Sequence, residues 1–266
     1  MAITALHTAA TGMQALSNKI DVIANNIANA DTVGFKSSRA NFQDLMYQVR
    51  AQPGVQTGTD TTSPLGTQIG LGVGMSNTQI LFQQGSAQQT KNPLDVMIQG
   101  DGFFQVELPD GRTAYTRAGN FVRNAVGELV LGNSAGYKLK DSPTIPNTVA
   151  IDKVGITSSG QVTAPDSAGV QKVLGNIELA RFPNPGGLLS YGSNVYLPTG
   201  ASGEPVKGEP GVDDLGTLLP GTLESSTTEA VTELVELIKT QRVFQMNSQT
   251  IQAADEALQV VANLRR

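Results

Sequence analysis

The sequence has no cysteine, no tryptophan and a single histidine, His7. Without cysteine there is no disulfide framework, no thiolate metal site and no thiol nucleophile. A disulfide-free chain suits a reducing compartment, and equally a route into an oxidising one along which cross-links are a hazard. Charge is scarce too: 15% of the 266 residues are charged, against about 25% in an average globular chain. The formal net charge of −5 argues against a general nucleic-acid binder, which carries a basic patch or stripe. No apolar run approaches the ~20 residues of a membrane span. The opening residues, MAITALHTAATGMQAL, lack the cationic region of a secretory signal peptide. The expectation is a cytoplasmic chain, or one exported by a system that reads something else.

Glycine and proline are nearly missing from both ends. Of 29 glycines and 13 prolines, only Gly12 and Gly34 precede Pro53, and none follows Gly221. At roughly 100–200 residues per domain, the length predicts one large or two modest domains.

The ends read as helices. Leu6, Met13, Ile20 and Ile27 recur every seven residues, and Ala9, Leu16, Ile23 and Ala30 fill companion positions three residues later. This predicts a helix over 3–27 with a coiled-coil seam. At the other end, Ser226 and Glu229 have capping-box spacing, which predicts a helix from there to Leu264. Ala230, Leu237, Phe244, Ile251 and Leu258 hold a seven-residue line. Its companion line, taken as Leu234, Gln241, Ser248, Asp255 and Ala262, is mixed, and a polar stretch there selects register and partner.

Between the helices the period changes to two. Val96 and Ile98, then Phe104, Val106 and Leu108, alternate around the Gly100-Asp101-Gly102 turn. Pro109-Asp110-Gly111 leads into 113–117, and Asn124 to Gly127 divides VRNAVGELVL. These are hairpin signals in series, with further strands expected at 137–139, 149–156, 161–164, 176–182 and 194–197. Residues 47–75 are rich in Thr, Gln and Gly and read as an extended or flexible linker. The fold class is α+β. A discontinuous helical, coiled-coil domain (1–35 and 226–266) is followed inward by an extended connector (36–75) and a central β domain of hairpins (76–225).

Chemistry is hard to find. His7 has no second histidine or cysteine to work with, so it reads as structural. The GLGVG at 70–74 and the GDG at 100–102 lack the Lys-Ser/Thr or full GxGxxG context of a phosphate loop. Asp95, Asp101 and Asp110 lack the oxygen ladder of a calcium loop. Glu229, Glu233 and Glu236 share a helix face and read as solvated charges that suit the dipole rather than as metal ligands. Tyr115, Arg117, Phe121 and Arg123 interleave as a stacking platform would, and as the face of any hairpin would. No catalytic, cofactor-binding or metal-binding residues are assigned, and no cofactor is expected. Apolar seams at both ends of one chain, around a β body, point to self-association.

The stretch IANNIANADTVGFKSSRANFQDLMYQ at 23–48, with Asn25, Asn26, Asn29, Gly34 and Phe35 at its core, resembles the N-terminal signature of bacterial flagellar rod and hook proteins. LDVMIQGDGFFQVELPDGRTAYTRAGNF at 94–121 is similar to that family's central block, and ELVELIKTQRVFQMNSQTIQAADEALQ at 233–259 to its C-terminal signature. One departure is Val243-Phe244 after Gln241-Arg242, where the family often has Ala-Tyr or Ala-Phe. Segment 47–70 and the total length resemble the distal-rod branch; proximal-rod and hook-type subunits are the near alternatives. The resemblance implies a non-enzymatic subunit of the basal body, exported without a cleaved signal peptide by the flagellar type III apparatus. It implies a helical homopolymer in which the terminal helices line the channel and the β domain lies outside. Implied partners are further copies, proximal rod proteins, the hook protein, and the peptidoglycan-layer and outer-membrane ring proteins. The implied task is carrying torque from motor to hook. The expected assembly seam is Leu6, Met13, Leu16, Ile20, Ile23 and Ile27 with Leu237, Phe244, Ile251 and Leu258. A reading of another class is a secreted glycan-binding or glycan-active protein that uses the hairpins at 94–131.

Overall fold

The computed structural model describes residues 2–54, 65–166 and 170–264. The chain divides into two compact units: Met1–Ala28 with Ser38–Gln79 and Ala230–Arg266, and Asn29–Ser37 with Ile80–Glu229. Within the first, helices α1 (Ala2–Ala28) and α2 (Ala230–Leu264) pair. They run antiparallel, since Gly12 meets Asn247, Lys19 meets Glu236 and Asn26 meets Glu233. Neither helix contains proline, and the one interior glycine, Gly12, sits where a Cβ would stand 2.9 Å from the Asn247 amide. A bare backbone at that point lets the two helices approach closely.

The start of α2 differs from expectation. Ser226 Oγ accepts from the Thr228 N–H at 3.1 Å, a local turn, and the helix begins only at Ala230. The serine closes a turn just ahead of the helix.

The first unit also contains strands β1 (Ser38–Asp44), β2 (Tyr47–Ala51), β3 (Thr67–Gly70) and β4 (Val73–Ile80). β1 pairs with β4, and β2 pairs antiparallel with β3 from Tyr47↔Gly70 to Ala51↔Thr67. Much of the segment read as a linker is thus a paired β-ribbon that groups with the helices, while residues 55–64 of that segment lie outside the described residues. A two-stranded ribbon without a buried face needs no apolar alternation, so its sequence carries little strand signal. Polar cross-strand pairs join β1 to β4: Arg39 with Gln79, and Asn41 with Asn77.

The second unit is the β body. It opens with β5 (Ala87–Gln89), β6 (Val96–Gln99), β7 (Phe103–Glu107), β8 (Thr113–Thr116), β9 (Phe121–Arg123), β10 (Leu129–Leu131) and β11 (Lys138–Leu139). A 3-10 turn at Ile151–Lys153 precedes β12 (Gly155–Ile156), β13 (Gln161–Pro165) and β14 (Gln171–Asn176). Then follow β15 (Leu179–Arg181), β16 (Leu189–Gly192), β17 (Val195–Leu197), β18 (Val206–Gly208), β19 (Thr217–Pro220) and β20 (Thr222–Glu224). The largest sheet runs β16-β17-β8-β7-β11-β10-β9, with β15 on β7 and β18 on β15. β7–β8 and β9–β10 are the expected hairpins. β6 and β7 are not one: β6 pairs with β19 from the far end of the body, so the glycines of 100–102 turn the chain between sheets. Likewise 149–156 is half 3-10 turn rather than all strand.

β7 is covered on both faces. Phe104 and Val106 join the main apolar core with Ile98, Leu129 and Leu218, while Phe103 faces a second, aromatic cluster with Tyr115, Phe182 and Tyr196. Successive strand residues point to opposite sides, so one strand serves two cores.

Candidate functional site

Among the described residues no group of three or more His, Cys, Asp or Glu side chains could hold a metal ion. No described helix is long and apolar enough to cross a membrane. His7 Nδ1 lies 3.2 Å from the Leu71 carbonyl, a tie between α1 and the ribbon. The interleaved platform at 115–123 is not on the surface: Tyr115, Arg117 and Phe121 are all buried. Tyr115 and Phe121 fill the two cores, Arg117 joins a buried charge cluster, and half-buried Arg123 donates to the Pro146 and Val149 carbonyls. Glu233 and Glu236 are engaged with Asn26 and Lys19 respectively.

The helix pair is the first candidate surface. On α1 the buried inner positions are Ala9, Gly12, Ala15, Ile23 and Asn26, while Leu6, Met13, Leu16, Ile20 and Ile27 are half-buried beside them. On α2, Leu237, Phe244 and Ile251 are half-buried and Leu258 is exposed. Their companion line is Glu233, Thr240, Asn247 and Ala254, three residues on, not the line through Gln241 and Asp255. Two polar members of this inner line are hydrogen-bonded: Thr240 Oγ1 donates to the Glu236 carbonyl at 2.7 Å and Glu233 accepts from Asn26. Both lines are mixed, with Glu233, Thr240, Asn247 and Ala254 at three residues and Leu234, Gln241, Ser248 and Asp255 at four, so sequence spacing alone leaves that choice open.

The opposite face of α2 is also apolar. Val231, Leu234, Val235, Ile238 and Met246 lie on it, from 44% exposed for Ile238 to 71% for Val231. A helix that is apolar on both sides is one that becomes buried on both sides.

Asn26 is the hub where α1 meets β1 and α2. Its carboxamide donates to the Ser38 carbonyl (2.8 Å) and accepts from the Ser38 N–H (2.9 Å), as a neighbouring strand would. The same Nδ2 donates to Glu233 Oε1 at 3.0 Å. Neighbouring Asn25 is exposed and Asn29 half-buried, the latter in a turn with Thr32.

Within the β body, residues 29–37 form a strap. The Gly34 N–H donates to the Glu224 carbonyl (2.7 Å), the Thr227 N–H to Phe35 (3.1 Å), and the Leu81 N–H to Ser37 (2.9 Å). Gly34 has φ +67°, and a Cβ there would stand 2.8 Å from the Ala118 nitrogen. Beside it lies a buried charge cluster that the sequence reading did not find. Lys36 Nζ donates to Glu224 Oε1 at 2.7 Å, with both side chains wholly buried, and Arg117 Nη1 stands 3.8 Å from Glu224 Oε2. The Gly85 N–H also donates to Glu224 Oε1. Burial pulls the Lys36 ammonium below the ordinary lysine range, opposed by Glu224. Burial likewise lowers Arg117, against the pull of Glu224 and Asp101. A signal existed: Glu224 is the one charged residue in 215–228, inside a strand-like stretch.

Comparison with known proteins places three family descriptions on the chain in order. Residues 6–36 match "Flagella basal body rod protein", 97–164 match "Flagellar hook protein FlgE/F/G D1 domain", and 219–264 match "Flagellar basal body rod FlgEFG protein C-terminal". The flagellar basal-body rod protein FlgG of Borreliella burgdorferi is 41% identical over 263 residues, covering 98% of each chain. That of Caulobacter vibrioides is 43% identical over 263 residues, covering 98% of this chain and 99% of its own. That of Bacillus subtilis is 37% identical over 265 residues, covering 99% and 100%.

Proposed function

The chain belongs to the flagellar basal-body rod protein family, and from that premise we propose that this structural subunit builds the distal rod. Copies associate head to tail around a rotation that does not close, which yields a helical tube. The observation that carries this reading is the apolar outer face of α2, set against an α1–α2 pair that already buries the inner face. Covering Val231, Leu234, Val235 and Ile238 with neighbouring copies supplies the driving force. The half-buried line Leu6, Met13, Ile20 and Ile27, with exposed Leu258, belongs to the same contact set. In this reading the helices form an inner tube around the export channel, and the β body forms the outer layer. The rod spans the periplasm and carries torque from motor to hook. Its neighbours are proximal rod proteins, the hook protein and the two ring proteins, and the flagellar export apparatus delivers it.

The ribbon fits the distal rod. Met46 just before it and Tyr47 and Val49 on it are exposed, as is Phe42 on β1, an apolar set suited to filling gaps between adjacent subunits. Purified full-length chain brought to rising concentration and viewed by electron microscopy tests both parts. Straight tubes above a threshold concentration are expected, and a chain that stays monomeric at all concentrations contradicts the reading. Replacing residues 48–69 by a short turn should give bent or flexible polymers; straight ones would count against the ribbon's role.

A further inference from the structure

The β2–β3 ribbon has no core of its own, and a two-stranded hairpin alone is marginal in water. β2 is exposed along its whole length and pairs with β3. What the rest of the helical unit supplies is a rail along α1. At one end Ser38 is bonded through both backbone groups to Asn26. At the other, His7 Nδ1 meets the Leu71 carbonyl at 3.2 Å, and Gly72 lies against Thr8 and Thr11. From Asn26 back to Thr11 the helix advances about 22 Å. From Ser38 to Leu45, whose N–H donates to the Gly72 carbonyl at 2.9 Å, a strand advances about 23 Å. The two lengths agree, so β1 lies along α1 and is fixed at both ends.

The far contact is selective. Gly72 has φ +117°, and a Cβ there would overlap Thr11 Oγ1 and stand 3.3 Å from the Thr8 Cα. Thr8 and Thr11 donate their hydroxyls to carbonyls of their own helix, those of Thr4 and Thr8, so they meet the glycine as packing surfaces. At this same point the strands are interrupted: β1 ends at Asp44 and β2 starts at Tyr47, while β3 ends at Gly70 and β4 starts at Val73. Two backbone bonds cross the break, from the Leu45 N–H to Gly72 and from the Leu71 N–H to Met46.

We propose that Leu71–Gly72 is a latch on the first turns of α1. While those turns are helical the ribbon is held in one direction; when they fray it is released as far as the Asn26–Ser38 anchor. Helix ends open before helix interiors, so the latch sits on the part of α1 that opens most readily. Order in the first turns of α1 therefore sets the direction of the ribbon. The device belongs to the single chain and does not depend on the rod reading, so a chain that never polymerises passes or fails the same test.

The full-length chain has no cysteine, so two introduced cysteines place spin labels without background. Labels at Ser17→Cys on α1 and Gln48→Cys on β2, both exposed positions, report the ribbon's direction by double electron–electron resonance. One narrow distance is expected for this labelled pair. Gly72→Val should abolish it in favour of a broad distribution, with circular dichroism at the helical band unchanged. Gly54→Val is the control, since φ there is +81° but nothing lies within 4 Å of a Cβ. Ala5→Gly with Ala10→Gly, two exposed positions in the first turns of α1, should abolish the narrow distance without touching the latch residues, once amide exchange at Thr8 shows those turns open. A distance that stays narrow in Gly72→Val, or is broadened equally by Gly54→Val, overturns the latch. A narrow distance in the double-glycine chain with Thr8 exchanging freely overturns its control by α1. A Gly72→Val chain that loses helical signal also overturns it, because the contact then supports the helix pair itself.

Discussion

Replacing Gly34 by alanine should damage the β body through two separable costs. The residue sits at φ +67°, where an L side chain costs about 1–2 kcal/mol relative to glycine. The added Cβ would also stand 2.8 Å from the Ala118 nitrogen and 2.9 Å from the Ala118 Cα and the Arg117 carbonyl carbon. All three are backbone atoms of the chain that carries the aromatic core, so no flexible side chain can yield. Overpacking of this kind costs roughly 1–3 kcal/mol. Relief by moving the strap would stretch the Gly34–Glu224 backbone bond, so the total is about 2–5 kcal/mol. Gly111 is the control: its φ is +79°, but nothing lies within 4 Å of a Cβ there, so Gly111→Ala bears only the conformational cost of about 1–2 kcal/mol. Urea titration followed by tyrosine fluorescence reads the difference, since Tyr115 and Tyr196 are buried in the body and tryptophan is absent. If the two variants lose the same stability, the close approach of the strap to Ala118 is not a packing constraint and the reasoning fails.

Asn26→Ala should destabilise the helical unit by about 2–3 kcal/mol, because Ser38 loses partners for both its N–H and its carbonyl and Glu233 loses a donor. Urea titration followed by circular dichroism at the helical band checks it, and a loss under about 0.5 kcal/mol contradicts the hub. Glu224→Gln keeps the shape of the buried cluster but leaves Lys36 and Arg117 without a counter-charge; the expected loss is about 3–5 kcal/mol in the tyrosine-monitored transition. A stability within 1 kcal/mol of wild type, a limit of about a fivefold change in equilibrium, would mean that the cluster is not held by charge pairing. The hydrogen bond from Lys19 holds the Glu236 carboxyl below the usual carboxylate range, so its contribution is complete above the unfolded carboxylate range. That contribution fades as pH falls through the depressed folded value. With Glu236 40% exposed it amounts to less than about 1 kcal/mol, and Lys19→Met should remove that part of the acid dependence of helix melting.

The helices and the β hairpins were legible because their signals are local. Absence of glycine and proline marks α1 and α2, and alternation around turn residues marks β7–β8 and β9–β10. What was not legible depends on pairing across distance. β6 reads as the first arm of a hairpin, yet its partner β19 arrives about 120 residues later, the separation from Ile98 to Leu218. The ribbon was hidden because neither face is buried, so nothing in its composition alternates. The inner line of α2 was set one residue off because Thr240 and Asn247 look too polar for a seam until α1 supplies Gly12 opposite Asn247. Among the site residues, Asn26 and Gly34 were visible as parts of a signature without a reason. The structure gives the reasons: a carboxamide acting as a strand, and a backbone with no room for a Cβ. Lys36, Arg117 and Glu224 were missed because charged residues default to the surface, and only the meeting of segments around 36, 117 and 224 buries them together.

In the proposed rod, the outer face of α2 is an assembly surface and not a part of the monomer's own core. Val235→Asp with Ile238→Asp tests it, because both side chains are more than two-fifths exposed in the single chain. The measurement is the threshold concentration for tube formation by sedimentation, taken beside the melting curve of the unassembled chain. An unchanged melting curve is expected, with no tubes at any concentration where the wild type is fully assembled. Tubes formed at the wild-type threshold by the double variant would contradict it.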